Sequence, residues 1–134
     1  MTSDFVARYT FAFVATQLVE VPLYVWGPLR GTRHAAAKAF GASLLTHPFA
    51  AVLLPALLGL VLQRPVWIPG ETALTTDFVL RVAAFGLVSE GFAVGGEAAY
   101  LRALGAPRPL AWSLLANGAS AGLGAVCTLV FGFP

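Results

Sequence analysis

The sequence predicts an all-α integral membrane protein, a four-helix bundle with antiparallel neighbours and both termini on the non-cytoplasmic side. Three observations lead there. The 134-residue chain is 58% hydrophobic and only 10% charged, where soluble domains carry about 25% charged residues, and its mean hydropathy is +0.81. Four stretches each reach the roughly 20 residues that a bilayer-crossing helix needs. The connections between them are short, which makes consecutive helices antiparallel neighbours.

Each helix follows from its charge gaps. Between Tyr9 and Leu29 the only formal charge is Glu20, and from Ala39 to Gln63 there is none, with His47 the only ionisable side chain. From Val82 to Leu101 the charges are Glu90 and Glu97, and from Leu110 to Pro134 there are none. The predicted spans lie near residues 5–27, 38–63, 77–104 and 109–132 of one domain, 1–134. Backbone crossing lipid must satisfy its own hydrogen bonds, which leaves helices or a closed barrel. The segments are too long, too continuously apolar and too rich in Ala and Leu for the alternation of barrel strands.

The N-terminal stretch is retained as the first helix. It lacks the basic region of a signal peptide, and Gln17 and Glu20 interrupt its apolar run. Cys127 is the only cysteine, so an intrachain disulfide or thiolate metal cluster is not expected. No internal repeat, low-complexity tract or Gly-rich phosphate loop is visible. The sequence pI of about 9.1 arises from few charges and points to topology rather than to nucleic acid.

Arg30, Arg33 and Lys38 lie in the first connection and Arg102 and Arg108 around the third, whereas the second balances Arg64 against Glu71 and Asp77. The positive-inside rule therefore places connections one and three in the cytoplasm of a multi-pass cell-membrane protein. Trp26, Tyr100 and Trp112 then form an inner aromatic belt and Trp67 an outer anchor. Arg8 and Arg81 flank helix ends and can snorkel, so they argue neither way for the topology.

Depth follows from the helical rise of about 1.5 Å per residue. Counting from the inner helix ends, Glu20, His47, Glu97 and Asn117 all fall roughly 10–14 Å inside the boundary. Glu90 shares the face of Glu97 two turns deeper. A carboxylate at the bilayer centre costs at least about 2.5 kcal/mol, so these groups must face inward. The predicted polar core is Gln17, Glu20, Ser43, His47, Glu90, Glu97, Asn117 and Ser120, with Thr46 and Ser113 close by.

Prolines and glycines add local expectations. Pro22, Pro48 and Pro55 release the carbonyls of Leu18, Leu44 and Ala51, the first two beside the polar level. Gly91 with Gly95, and Gly118 with Gly122, have the spacing that lets membrane helices approach closely, either within the subunit or between copies.

Three functions suit such a core. Proton- or cation-linked transport, or ion conduction, uses membrane carboxylates that alternate between charge states, Asn117 holding the cation or substrate. Four helices are few for a complete pathway, so a homo-oligomer or a larger membrane complex is expected around the lipid-embedded chain. A structural assembly subunit uses the same groups to fix helix register. A metal-binding protein or metalloenzyme would place Glu20, His47, Glu90 and Glu97 on zinc, manganese or iron, although the chain has no Glu-x-x-His motif. Ser43 beside His47 lacks a nucleophile turn, so an enzyme is the weaker expectation.

Overall fold

The computed structural model describes residues 3–63 and 75–131. Regular structure in these segments is helical: α1 Ser3–Trp26, α2 Ala35–Pro48, a π-helical segment Phe49–Leu53, α3 Leu54–Leu62, α4 Thr76–Ala103 and α5 Pro109–Phe131. Trp67, Arg64 and Glu71, assigned above to the outer connection, lie outside the described residues.

Among the described residues, three helices are long and apolar enough to cross a membrane: Ala35–Val61, Val79–Ala103 and Pro109–Cys127, with mean hydropathies of 2.0, 1.4 and 1.3. The first of these joins α2, the π segment and α3 into one rod. Helix α1 has the length, 24 residues, but is not among the three, because Asp4, Arg8, Gln17 and Glu20 dilute its apolar content.

Pro22 sits inside α1 without ending it. Pro48 and Pro55, by contrast, bracket the π segment. The Phe49 N–H reaches back three residues to the Thr46 carbonyl, and the Leu54 N–H reaches back five to that of Phe49. Between two residues that lack an N–H, the rod thus accommodates its freed carbonyls by widening one turn, a feature often found at functional sites. Phe49 of this turn stacks on Phe92 of α4, with ring centroids 5.1 Å apart.

The helices pack in a cycle. Helix α1 lies against α2 and α5, and α4 lies against α2 and α5. The end of the molecule that holds the α1–α2 and α4–α5 turns is closed by Tyr24, Leu29, Ala39, Ala42, Leu101 and Ala116, all buried. Close packing there depends on glycine. A Cβ at Gly27 would lie 2.6 Å from the Trp112 ring and 2.8 Å from the Leu23 carbonyl, and one at Gly41 would lie 2.8 Å from the Tyr100 hydroxyl. Tyr100 and Trp112 therefore pack partly against the core, whereas Trp26 is 76% exposed.

Two local expectations are corrected. Gly91, Gly95, Gly118 and Gly122 have no atom within 4 Å of a built Cβ, so they do not close the α4–α5 contact; small spacing alone does not say which face meets the neighbour. Arg81 is buried and pairs with Asp77 one turn earlier at 3.0 Å, so it does not simply reach toward a headgroup layer.

Candidate functional site

Two buried carboxylates organise the interior, each 1% exposed: Glu20 on α1 and Glu97 on α4. Glu20 accepts hydrogen bonds from the hydroxyls of Ser43 on α2 and Ser120 on α5, the latter at 2.8 Å. Glu97 accepts from the Tyr24 hydroxyl on α1, from Thr46 on α2 at 3.1 Å and from the Asn117 amide on α5 at 2.7 Å. The two carboxylates lie close enough to interact electrostatically. The amide of Asn117 is itself steadied by the Ser113 carbonyl at 3.0 Å. Ser113 donates to the Val94 carbonyl at 2.9 Å, tying α5 to α4.

The local folding that aims these groups is the same in both halves of the chain. At the end of α1 the Gly27 N–H bonds to the Leu23 carbonyl and the Leu29 N–H to that of Tyr24. At the end of α4, Leu104 bonds to Tyr100 and Ala106 to Leu101. A shift of 77 residues converts one pair into the other and superposes Glu20 on Glu97. The next helices both start from a left-handed residue, His34 and Arg108, whose carbonyls accept from Lys38 and Trp112, a shift of 74 residues. That second shift carries the buried set Ala39, Ala42, Ser43 and Thr46 of α2 onto Ser113, Ala116, Asn117 and Ser120 of α5.

The hydrogen bonds obey the same correspondence. Ser43 bonds to the glutamate of its own hairpin, as Asn117 does; Thr46 bonds to the glutamate of the other hairpin, as Ser120 does. The chain therefore holds an internal repeat, which the sequence does not display. In the first helices the 77-residue shift leaves only Ala7/Ala84 and Glu20/Glu97 identical.

The other predicted site residues stand apart from this network. The ring of His47 packs between Tyr9 and Phe13, with centroids at 5.4 and 5.1 Å, and its Nδ1 has no hydrogen-bond partner. Gln17 is buried with both side-chain polar atoms unpartnered. Glu90 is exposed, faces the cavity described next and makes no hydrogen bond among those found. The predicted grouping of Glu20, His47, Glu90 and Glu97 as metal ligands is not formed: among the described residues no three His, Cys, Asp or Glu side chains are placed to hold a metal ion. His47 and Glu90 line the same cavity as the glutamate pair without joining its hydrogen bonds.

Tyr24 is the addition. It lies one turn after Glu20 on the same face, the signal that could have placed its hydroxyl inside, whereas Thr46, expected close by, joins the network directly.

A cavity of about 290 Å³ opens from this layer. Glu20, Glu97, Ser43, Thr46, Asn117 and Ser120 supply polar lining at this level, joined by Thr16, His47, Ser89 and Glu90. Its walls run through Ala12 and Ala15 of α1, Ala50 and Ala51 of the π segment, Ala93 of α4 and Leu123 of α5, toward the end where α1 starts and α5 finishes. The opposite end is the closed core. The chain matches no family model, no curated protein and no solved structure.

Proposed function

We propose that the protein is a multi-pass cell-membrane protein, a four-helix bundle with both termini on the non-cytoplasmic side, that moves a proton or cation through the Glu20–Glu97 pair. The observation that carries this reading is the pair itself. Two carboxylates line one cavity, which Tyr24, Leu29 and Leu101 shut off at the end that holds the α1–α2 and α4–α5 turns. Ionisable groups held inside membrane helices are functional by default, because retaining them costs free energy that apolar packing does not.

Several features support the placement in a bilayer. Three helices have the length and hydropathy to span it, and the basic residues Arg30, Arg33, Lys38, Arg102 and Arg108 gather at the closed end, in keeping with a cytoplasmic face. The outward-opening Gly91, Gly95, Gly118 and Gly122 leave room for a second copy, in keeping with an oligomeric transporter.

The decisive experiment is proteoliposome flux under an imposed pH gradient, read by an internal pH dye. Glu20→Gln and Glu97→Gln are expected to lower flux more than tenfold, and Glu90→Gln less, since Glu90 stands outside the hydrogen-bond network. Flux unchanged in both first variants removes the transport reading.

One observation favours a structural assembly role as the second reading. The donors and acceptors of the pair come from α1, α2, α4 and α5, so the network also joins these helices. Variants that lose thermal stability while keeping full flux would select that role. The metal reading has no such support.

A further inference from the structure

The chemistry of the cavity specifies what it accepts. Every hydrogen bond found at the two glutamates is received, none given: Glu20 takes two and Glu97 three. A carboxylate pair offers about eight acceptor positions, so acceptors are in surplus. Glu90 adds another carboxylate on the wall. His47 and Ser89 also line the cavity, each with one buried polar atom, Nδ1 and the hydroxyl, that has no partner. Among the described residues, no lysine or arginine lines the space. Beyond the hydroxyls and amide already named, the remaining wall is alanine, glycine, leucine and phenylalanine, with Thr16 and Cys127.

We propose that the cavity binds a small apolar molecule headed by a primary or secondary ammonium group, with the N–H donors on Glu20 and Glu97 and the apolar body along the alanine walls. This rests on reading the glutamate pair as the working site and names its ligand class. An anion meets three carboxylates and no cation. A neutral alcohol brings one donor and no charge, and an inorganic cation leaves the apolar walls unfilled. An ammonium with an apolar tail satisfies both halves. Its head replaces water at carboxylates with charge-assisted hydrogen bonds, and its body fills a space at the lower end of the roughly 300–1,000 Å³ of small-molecule sites. The alanines are what create that space: a leucine at Ala93 or Ala51 would occupy it.

The full chain in phosphatidylcholine nanodiscs, titrated calorimetrically with phenethylamine against protein-free nanodiscs, tests this. Saturable binding is expected, with phenethyl alcohol and 3-phenylpropionate at least tenfold weaker and Glu97→Gln weakening the amine at least tenfold. Ala93→Leu keeps both glutamates and is expected to abolish saturable binding, which guards against a glutamate variant that fails to fold. Equal affinity for the alcohol, absence of saturable amine binding, or unchanged binding in Ala93→Leu overturns the proposal. Repeating the titration with phosphatidylethanolamine present separates two sources of the same chemistry. Unchanged affinity assigns the site to free amines, and competition assigns it to the lipid ammonium headgroup. Glutamate-dependent proton flux without amine binding would overturn the ligand class alone. Amine binding in a protein that passes no protons would overturn the transport reading alone.

Discussion

The first hairpin, α1 with α2 and α3, and the second, α4 with α5, place the same kinds of group at the same level, yet they differ at three points. Where the first has Tyr24, the second has Leu101, so Glu97 gains a third donor that Glu20 lacks. Where the second has Trp112, the first has Lys38, so only Gly27 is overlaid by an indole. The first also contains the proline-bracketed π turn, whereas α5 runs unbroken from Pro109 to Phe131. A scaffold used twice supplies the symmetric hydrogen bonds; the departures make one glutamate more firmly held, one turn more tightly packed and one wall wider.

The largest expected effect breaks the hydrogen-bond asymmetry. Glu97→Ala leaves the Tyr24 hydroxyl and one N–H of the Asn117 amide without the acceptor they share, while Thr46 keeps the Ala42 and Ser43 carbonyls, at a cost of about 3–4 kcal/mol. Glu20→Ala leaves the Ser43 hydroxyl without its acceptor, while Ser120 keeps the Asn117 carbonyl, and is expected to cost about 1–3 kcal/mol. Thermal unfolding in detergent measures both, and equal losses would mean that the third donor contributes nothing.

Next comes the packing difference. Gly27→Ala drives a methyl group into the Trp112 ring and the Leu23 carbonyl, at about 1–3 kcal/mol. Gly118→Ala meets no atom within 4 Å and is expected to be neutral or to stabilise by up to about 1 kcal/mol from helix propensity. A clear destabilisation by Gly118→Ala, read as a lower thermal midpoint or a smaller assembled species, would place that glycine in a contact with a second copy.

The smallest effect isolates the tyrosine. Tyr24→Phe keeps the ring packed in the core and removes one hydroxyl, so a loss of about 1 kcal/mol is expected. The same variant in a Glu97→Gln background measures the coupling: a cycle that closes additively would show that the two groups do not depend on each other.

Much of the site was readable from the chain because lipid makes polar groups conspicuous. Glu20, Glu97, Ser43, Asn117 and Ser120 stand in runs of apolar residues, and helical rise alone sets them at one level. Their pairings were not readable. Nothing in the order of residues says that Thr46 and Ser120 cross to the opposite hairpin, since this depends on which helices are neighbours around the cycle. His47 was expected beside the carboxylates because it shares their depth, but depth leaves azimuth free, and its ring turned toward Tyr9 and Phe13. The repeat went unseen for a related reason: a hydrogen-bond role is met equally by serine, threonine or asparagine, so function recurs without identity.

What the sequence determined by itself is the helical character and the apolar spans, three of the four predicted being long and apolar enough to cross a membrane among the described residues, because hydropathy and the rise per residue are properties of a single helix. Only the tertiary structure decided which carboxylate meets which donor, which glycines are covered, and that a cavity with acceptors in excess lies between the hairpins. Those depend on the rotation of each helix about its axis, which is set by packing against neighbours far away in the chain.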